Sequence, residues 1–331
     1  MDKQQVVKQL LATHIQPVVR KIDEEAYYAR DYLLALGQAG MWNGDYKQEM
    51  MVVKETARVC MTTAFCVWCH LASLTYLRLT ENEAVKSLLT QLESGELLGA
   101  TGLSNPMKHY AGLEKLHLSA ERVPGGYVVS GVLPAVSNLA DNHWFGVIAK
   151  TSSEEKMFFV NTANAKLTLK EQANFIGVNG SATYTCKFEN VFVEDCYVLA
   201  ENAALFIEKV RPTFILYQLP LAYGVTAAVI EEIKKVKGKQ AGSNCNMKVQ
   251  ASTLETQLEI LEQNSHQFEI KKLYEVRLQA AYLVLQATQT AMLHQGSAAY
   301  LIGSKVQRKL REAYFFANLT PTVRQLEKVL A

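Results

Sequence analysis

Two serines, Ser104 and Ser137, each stand at the end of a segment with the pattern of a β-strand. The first segment is residues 97–103, and the second is residues 126–136. A serine hydroxyl both donates and accepts hydrogen bonds, so it can follow a change of protonation on a bound ligand. It can equally bond to its own backbone, and the pattern does not choose between these roles. If the protein does chemistry, we expect it first at these two segments.

A second group of reactive side chains, Cys66, Cys69 and His70, has the C-x-x-C-H spacing of a c-type haem attachment site. Haem attachment needs an exported chain and an open site, whereas these residues lie in an apolar helical stretch and residues 2–23 lack the apolar core of a secretory signal. The favoured interpretation is therefore a pair of buried, reduced cysteines. No second Cys/His pair has zinc-like spacing, so we predict no metal site.

His70 has two interpretations of its own. An imidazole can gain or lose a proton near neutral pH, which makes His70 a candidate for proton transfer. A histidine inside an apolar helix is more often a core residue with its hydrogen bonds satisfied, and this second interpretation is favoured.

The surrounding elements predict a mostly helical α+β chain. Residues 97–200 are rich in β-branched and aromatic residues between glycine turns, which predicts a small antiparallel barrel or sandwich. The predicted strands are 99–103, 127–133, 144–150, 157–161 and 182–192. Apolar residues at three- to four-residue spacing predict helices at 3–22, 24–36, 46–78, 82–94, 203–236, 250–263, 268–294, 304–317 and 321–330. We therefore expect an N-terminal helical domain (1–96), a middle β domain (97–200) and a C-terminal helical domain (201–331).

Composition excludes several classes of partner. The net charge of +2 gives no reason to expect nucleic acid or an anionic membrane surface. The sequence has no run of about 18 apolar residues, so no membrane span is predicted. With 49% hydrophobic and 20% charged residues, the chain is expected to be an ordinary folded cytoplasmic protein.

Six segments, in this order, give the chain a resemblance to the acyl-CoA dehydrogenase superfamily along nearly its whole length. They are residues 35–41 (ALGQAGM), 96–106 (ELLGATGLSNP), 126–138 (GYVVSGVLPAVSN), 176–193 (IGVNGSATYTCKFENVFV), 296–300 (GSAAY) and 311–313 (REA). They are similar to the family's "lgeaGl", "LTEP", "GyvlnGxKxwITNa", "lGxRgSxtxxvxFxdVxVP", "GGxGY" and "RDa" motifs.

The resemblance implies a flavin cofactor, FAD in preference to FMN, between the β domain and the C-terminal helices. By matching position, Ser137 would face flavin N5, and Leu103 and Ser104 would lie beside the pyrimidine edge. The same matching gives the full set of expected cofactor-binding residues as Leu103, Ser104, Val136, Ser137, Gln295 and Gly296. It also implies a small-molecule substrate, with an acyl thioester as one candidate, and a homodimer or homotetramer.

Three departures from the family pattern affect the expected reaction. Thr320 stands where the dehydrogenases have their catalytic glutamate, and residues 211–224, which hold the alternative base, contain no carboxylate. Ala135 replaces the tryptophan that packs on the flavin. We therefore expect an FAD-linked oxidoreductase that does not carry out the standard α,β-dehydrogenation of an acyl-CoA.

Two alternatives stay open. One is a reduced-flavin-dependent monooxygenase of the same fold, in which Ser137 and His70 shape the oxygen-activating pocket. The other is a family member without catalysis that acts as a binding or assembly subunit.

Overall fold

The computed structural model describes residues 2–172, 174–239 and 245–331, with the side chains of 236–239 and 245–249 left undescribed. Seven helices come first along the chain: α1 (Lys3–His14), α2 (Val19–Glu24), α3 (Arg30–Gln38), α4 (Tyr46–Val59), α5 (Met61–Leu79), α6 (Glu83–Lys86) and α7 (Leu89–Glu93). Asp2 and Asp45 start α1 and α4 by accepting hydrogen bonds from first-turn amides. Almost every side chain of α5 is buried, as its largely apolar sequence predicts.

The prediction of a single helix over residues 46–78 is wrong, because the helix is interrupted at Cys60. Cys60 is extended, with φ −147° and ψ 109°, between α4 and α5. Lys309 Nζ donates to the carbonyl of Ala57 at 2.6 Å, and Glu312 Oε1 accepts from the amide of Met61 at 3.2 Å. These contacts satisfy backbone groups that a helix end leaves without partners. The break is therefore stabilised by residues about 250 positions away.

Other predicted helices are also divided. The helix predicted over 3–22 ends at His14, and a short 3₁₀ turn with Pro17 precedes α2. The one predicted over 82–94 forms α6 and α7, and the one over 24–36 begins only at Arg30. Proline explains the first division, since its ring fixes φ and removes an amide donor.

Within the described residues the middle region has eight strands. They are β1 (Gly99–Thr101), β2 (Leu118–Val123), β3 (Gly126–Val136), β4 (Trp144–Lys150), β5 (Glu155–Asn161), β6 (Leu167–Glu171), β7 (Tyr184–Glu194) and β8 (Val198–Ala200), with helix α8 (Ser104–Tyr110) after β1. The sheet order is β6-β7-β3-β2-β4-β5-β8, and β1 pairs with β4. The β1–β4 and β2–β4 pairings are parallel, and the others are antiparallel. Strands β2, β6 and β8 and helix α8 were not predicted.

After the strands, the described residues form six helices: α9 (Ala203–Leu216), α10 (Leu219–Lys239), α11 (Cys245–Gln263), α12 (Ile270–Gln295), α13 (Lys305–Asn318) and α14 (Val323–Leu330). The predicted helix 203–236 is divided at Tyr217 and Gln218, whereas Pro212 lies inside α9 without ending it. The order of helices, strands and helices confirms the predicted fold class.

The helices on both sides of the β region share one hydrophobic core, and the sheet has a second core of its own. Helix α10 packs so closely on α4 that a Cβ at Gly224 would collide with the carbonyl of Lys54. Residues Ala203–Lys235 are long and apolar enough to cross a membrane, but 89% of their most apolar window is buried inside the protein. Burial of this kind is that of a core helix. The division into three domains remains a prediction.

Candidate functional site

A cavity of 320 Å³ lies where the end of β3, the start of β7, α5 and α13 meet. We call it the Ser137 cavity. Its lining is mostly apolar and consists of Phe65, Ala135, Ser137, Phe175, Ile176, Gly177, Val178, Ser181, Thr183, Arg311, Tyr314, Phe315 and Asn318. It has the size of the smaller ligand pockets in proteins, which span roughly 300–1,000 Å³.

Strand pairing places three hydroxyls on one wall of this cavity. Antiparallel pairing of β3 with β7 sets Val136 opposite Tyr184, and the Asn138 amide donates to the Ser181 carbonyl at 2.8 Å. Ser137 Oγ then lies 2.7 Å from Thr183 Oγ1, and Ser181 Oγ lies 2.8 Å from the same atom. Ser181 and Thr183 are buried, and Ser137 is half-buried. The wall is a linked set of donors and acceptors beside an apolar space.

Arg311 closes the other side of the Ser137 cavity. Its guanidinium forms a two-pronged ion pair with Asp23, at 2.8 and 2.6 Å, and donates to the carbonyl of Ile176 at 2.8 Å. Paired hydrogen bonds of this kind fix the direction of the side chain. Arg311 thus ties the loop at 175–178 to α2 and α13, and it keeps that loop over the cavity.

A second cavity, of 150 Å³, lies where α8, α9 and α12 meet residues 320–329. We call it the Thr320 cavity. Its lining residues are Met107, Tyr110, Ala111, Arg211, Ile215, Tyr274, Thr320, Pro321, Gln325, Leu326 and Val329. Arg211 is the one charged residue among them.

The segment that carries Thr320 is held from behind by Arg277 and Gln218, which are both fully buried. Arg277 Nη2 donates to the carbonyl of Phe316 at 2.7 Å, and Arg277 Nε donates to Gln218 Oε1 at 3.0 Å. Gln218 Nε2 in turn donates to the carbonyl of Thr320 at 2.9 Å. Burial lowers the pKa of Arg277 to about 9, and no carboxylate among the described residues pairs with it. This clamp fixes the backbone at residue 320.

Four aromatic rings, which we call the aromatic bridge, join α5, α9 and α13. Phe65 packs on Trp68 and Phe315 with centroid distances of 5.6 and 4.8 Å, and Trp68 packs on Phe214 at 4.6 Å. Trp68 Nε1 also donates to the carbonyl of Phe214 at 3.1 Å. The bridge runs from the wall of the Ser137 cavity to α9, where the residue after Phe214 lines the Thr320 cavity.

The two cavities contain one of the six residues predicted to bind the cofactor, and the binding role of all six remains a prediction. Ser137 alone among them lines either cavity. Leu103 and Val136 have buried side chains, in the helical core and the sheet core respectively. Ser104 is exposed and begins α8, so it is not at a strand end as expected. Gln295 and Gly296 lie at the end of α12.

His70 lies in the core of α5 and does not line the Ser137 cavity. Its Nδ1 accepts the amide hydrogen of Gly99 at 3.0 Å, and its ring packs near Trp42. Burial lowers the pKa of His70 to about 3, so the ring is neutral near pH 7. His70 is therefore a core histidine, but the expectation that its hydrogen bonds are satisfied is wrong, because its buried Nε2 has no hydrogen-bond partner among the described residues. A catalytic role for His70 remains a prediction.

The neighbouring cysteines are equally enclosed. Cys66 and Cys69 are free and buried, and burial raises the pKa of both thiols well above the usual range. Neither thiol is expected to react as a thiolate near neutral pH. No three His, Cys, Asp or Glu side chains among the described residues are grouped so that they could hold a metal ion. Cys245 lies outside the described side chains.

We expect the protein to lose stability as the pH falls below about 6.5, because His70 and His143 are buried as neutral rings. Burial lowers the pKa of His143 to about 4, although its Nδ1 hydrogen bonds to the Asn138 carbonyl. The unfolded chain takes up protons from about pH 6.5 downward, whereas the folded chain does not. The contribution of these two histidines to the free energy of unfolding is therefore greatest above pH 6.5. Below pH 6.5 the free energy falls by up to about 1.4 kcal/mol per histidine and pH unit.

Urea unfolding at pH 7 and pH 5 measures this loss. His70→Gln and His143→Gln should each reduce the difference between the two pH values. His117→Gln, which changes an exposed histidine, should leave the difference as it is in the unmodified chain. Equal differences in all three variants would contradict the assignment.

No protein-family model matches the chain. Benzylmalonyl-CoA dehydrogenase of Aromatoleum aromaticum is 24% identical over 95% of this chain and 93% of that protein. Glutaryl-CoA dehydrogenase from Mycobacterium smegmatis, solved in complex with FADH2, superposes with a TM-score of 0.86 at 16% identity, over 99% of this chain and 92% of the other. Dibenzothiophene monooxygenase from Paenibacillus sp. A11-2 superposes with a TM-score of 0.83 at 15% identity, over 99% and 95% of the two chains. Along nearly its whole length the chain is similar to proteins of the acyl-CoA dehydrogenase superfamily.

Within this superfamily, two of the departures seen in the sequence fall on the cavities. Ala135, in place of the tryptophan, lines the Ser137 cavity next to the serine of the same motif. Thr320, in place of the glutamate, lines the other cavity, where Arg211 also lies. The dimensions of the Ser137 cavity and its hydroxyl wall suit a flat ring system, such as the isoalloxazine of a flavin, but not a whole dinucleotide.

Several residues of these cavities could not be found from the sequence. Thr183 and Ser181 reach Ser137 only through the pairing of β3 with β7, and Arg211 and Tyr274 meet only when α9 packs on α12. The family resemblance did link Ala135 and Ser137 to the same expected flavin, and both line this cavity. Nothing in the sequence indicated that Gln218 and Arg277 hold the backbone at residue 320.

Proposed function

We propose that this protein is a flavin-dependent oxidoreductase of the acyl-CoA dehydrogenase type, with the ring system of FAD in the Ser137 cavity. The observation that carries the proposal is that Ala135 and Ser137, two positions of one superfamily motif, line a cavity of ring-system size beside two further hydroxyls. FAD is preferred to FMN by analogy with the superfamily, and the substrate is a small molecule for which an acyl thioester is the leading candidate.

The chain's own residues have defined roles in this proposal. Ser137 and Thr183 offer a hydroxyl pair that can donate or accept at the edge of the bound ring. Phe65 and Phe315 provide an apolar wall, and Arg311 holds the loop at 175–178 over the cavity. Bound flavin supplies the capacity to accept two electrons, which no side chain has.

The proposal does not include removal of a substrate α-proton by residue 320. A threonine hydroxyl is too weak a base near neutral pH to replace a carboxylate. Arg211, the charged residue of the Thr320 cavity, is a cation and cannot serve either. The reaction is therefore expected to differ from α,β-dehydrogenation of an acyl-CoA.

One alternative function has an observation in its favour. The aromatic bridge fills the junction of α5, α9 and α13 with side chains, and the position of the usual base holds Thr320. Both features suit a binding or assembly subunit without catalysis. The monooxygenase alternative is weakened, because His70 lies in the helical core and not beside Ser137.

We further propose a homodimer or homotetramer in the cytoplasm. Leu293, Tyr300, Leu301 and Ile302 are all largely exposed at the end of α12 and in the residues after it, next to Gln295 and Gly296. Exposed apolar residues grouped in this way are typical of protein–protein interfaces. A second copy of the chain seated there would bring Gln295 and Gly296 close to a neighbouring protomer.

The flavin proposal predicts that the purified apo-protein takes up FAD and gains a flavin absorption spectrum. Ser137→Leu should weaken FAD binding at least tenfold, because a larger apolar side chain would occupy the cavity and remove the hydroxyl. Ser119→Leu, on an exposed position of β2, is the matched control and should bind FAD as the unmodified chain does. Equilibrium titration of absorbance and flavin fluorescence measures all three affinities.

Absence of binding to oxidised and reduced FAD and FMN would overturn the proposal and favour the non-catalytic alternative. Equal FAD affinities of the Ser137→Leu and Ser119→Leu variants would show that the flavin does not bind in the Ser137 cavity. A melting-temperature comparison of the two variants shows whether both are folded.

A further inference from the structure

The Thr320 cavity has an unbalanced charge. Arg211 is its one charged lining residue, and it is half-buried. No carboxylate in the described part of the chain lies within 4 Å of its guanidinium. Its contact is instead with the hydroxyl of Tyr274, on the neighbouring helix α12. A guanidinium has five N–H donors, so most of them remain for water or a ligand.

The other polar groups of this cavity are also donors or can act as donors. Burial raises the pKa of both Tyr110 and Tyr274, so both hydroxyls keep their protons near neutral pH. The Thr320 hydroxyl makes no hydrogen bond to any described residue. Gln325 uses its Oε1 to accept from the Thr322 amide at 2.7 Å, which leaves its NH2 group to donate. Hydrogen-bond donors therefore predominate over acceptors.

One carboxylate outside the lining is close to this set. Glu155 contributes to the raised pKa of Tyr110, and its Oε1 lies 2.8 Å from His109 Nε2. A glutamate at residue 320 would supply an internal anion for Arg211, and threonine does not. The backbone that carries Thr320 is fixed by the clamp of Gln218 and Arg277, so the cavity keeps its shape without a ligand.

We propose that the Thr320 cavity is a binding site for a small carboxylate, whose charge is held by Arg211. The carboxylate accepts hydrogen bonds from the guanidinium and from the Tyr274 and Thr320 hydroxyls. Its short aliphatic part lies against Met107, Ile215 and Leu326. The cavity of 150 Å³ has the space of about five water molecules, which suits a carboxylate of roughly three to five carbon atoms. The site does not depend on a bound flavin.

Isothermal titration of the flavin-free protein with butyrate tests this site, and butyramide is the neutral probe of the same shape. We expect butyrate to bind with a millimolar dissociation constant and butyramide to bind at least tenfold more weakly. Arg211→Met should lose at least tenfold in butyrate affinity. Arg211→Lys should lose less, because it keeps the charge but not the planar fork of donors. Thr320→Glu should also lose butyrate binding, because the new carboxylate would pair with the Arg211 guanidinium in place of butyrate.

Lys209→Met is the matched control, because Lys209 is on the same helix and carries the same charge but does not line this cavity. It should bind butyrate as the unmodified chain does. Equal affinity for butyrate and butyramide, or equal affinity of the Arg211→Met and Lys209→Met variants, would overturn the proposal. If Arg211→Met does not fold, the affinities of the unmodified chain for butyrate and butyramide still test the proposal. Because no flavin is present, a negative result here leaves the flavin titration unaffected.

Discussion

Replacing Glu312 with glutamine is expected to lower the free energy of unfolding by about 3–5 kcal/mol. Glu312 is buried, and its carboxylate lies 2.8 Å from Lys309 Nζ and 3.3 Å from Arg308 Nη1. Glutamine can still accept from the Met61 amide, but it leaves two buried cations without an anion. Burial already lowers the pKa of Lys309 to about 8, which shows how costly its charge is in this place. Such a loss is a large share of the roughly 5–15 kcal/mol that stabilises a typical protein.

Urea unfolding measures this effect, and Lys305→Met on the same helix is the matched control. Lys305 pairs with Glu232 at 2.8 Å, but its side chain is 39% exposed, so its replacement should cost about 1 kcal/mol or less. The double replacement Lys309→Met and Glu312→Met should cost less than the two single ones together, because it removes both charges. Additive single costs, or a Glu312→Gln cost equal to that of Lys305→Met, would show that the buried charges are not coupled.

The second large effect is a gain of function. Given bound FAD, Thr320→Glu is expected to raise the rate of α-proton exchange in butyryl-CoA by about 10²–10⁴-fold. The clamp of Gln218 and Arg277 holds the backbone of residue 320, and Arg211 shares its cavity. A glutamate is ionised near neutral pH and can accept a proton, but pairing with Arg211 would lower its pKa and make it a weaker base, so the gain is expected at the lower end of this range. Deuterium uptake from D₂O into the thioester, followed by mass spectrometry, measures the exchange.

Thr320→Gln is the control, since it has the same size as the glutamate variant but no basic group. It should exchange protons no faster than the unmodified chain. If Thr320→Glu and Thr320→Gln behave alike while both bind FAD, the Thr320 cavity is not where an acyl thioester presents its α-carbon. If neither variant binds FAD, the result counts against flavin binding in the Ser137 cavity.

Much of the fold could be read from local patterns. Strand β4 was predicted with its bounds at Trp144 and Lys150, because its residues are β-branched, aromatic or small between turn signals. The ends of α12 and α13 were predicted within two residues, since their amphipathic periodicity is long and glycine follows the first of them. What such patterns report is the preference of a segment for helix or strand, which depends on near neighbours.

The candidate site was predictable in part. The order of the motifs indicated Ala135 and Ser137, and these two line one cavity. It did not indicate Thr183, which lies next to Ser137 only because β7 pairs with β3. The roles expected for Leu103, Ser104, Val136, Gln295 and Gly296 remain predictions. Their backbone amides, or contacts supplied by a second protomer, would have to carry those roles.

The sequence by itself determined most of the segments that are helical or extended and the order in which superfamily motifs follow one another. Only the tertiary structure decided where the long helices break and which side chains share a cavity. The break at Cys60 is the clearest case, because residues 57–61 contain neither glycine nor proline. The backbone groups freed there bond to Arg308, Lys309 and Glu312, on a helix about 250 residues away. The local sequence around Cys60 does not indicate such distant partners, because only packing brings them within hydrogen-bonding distance.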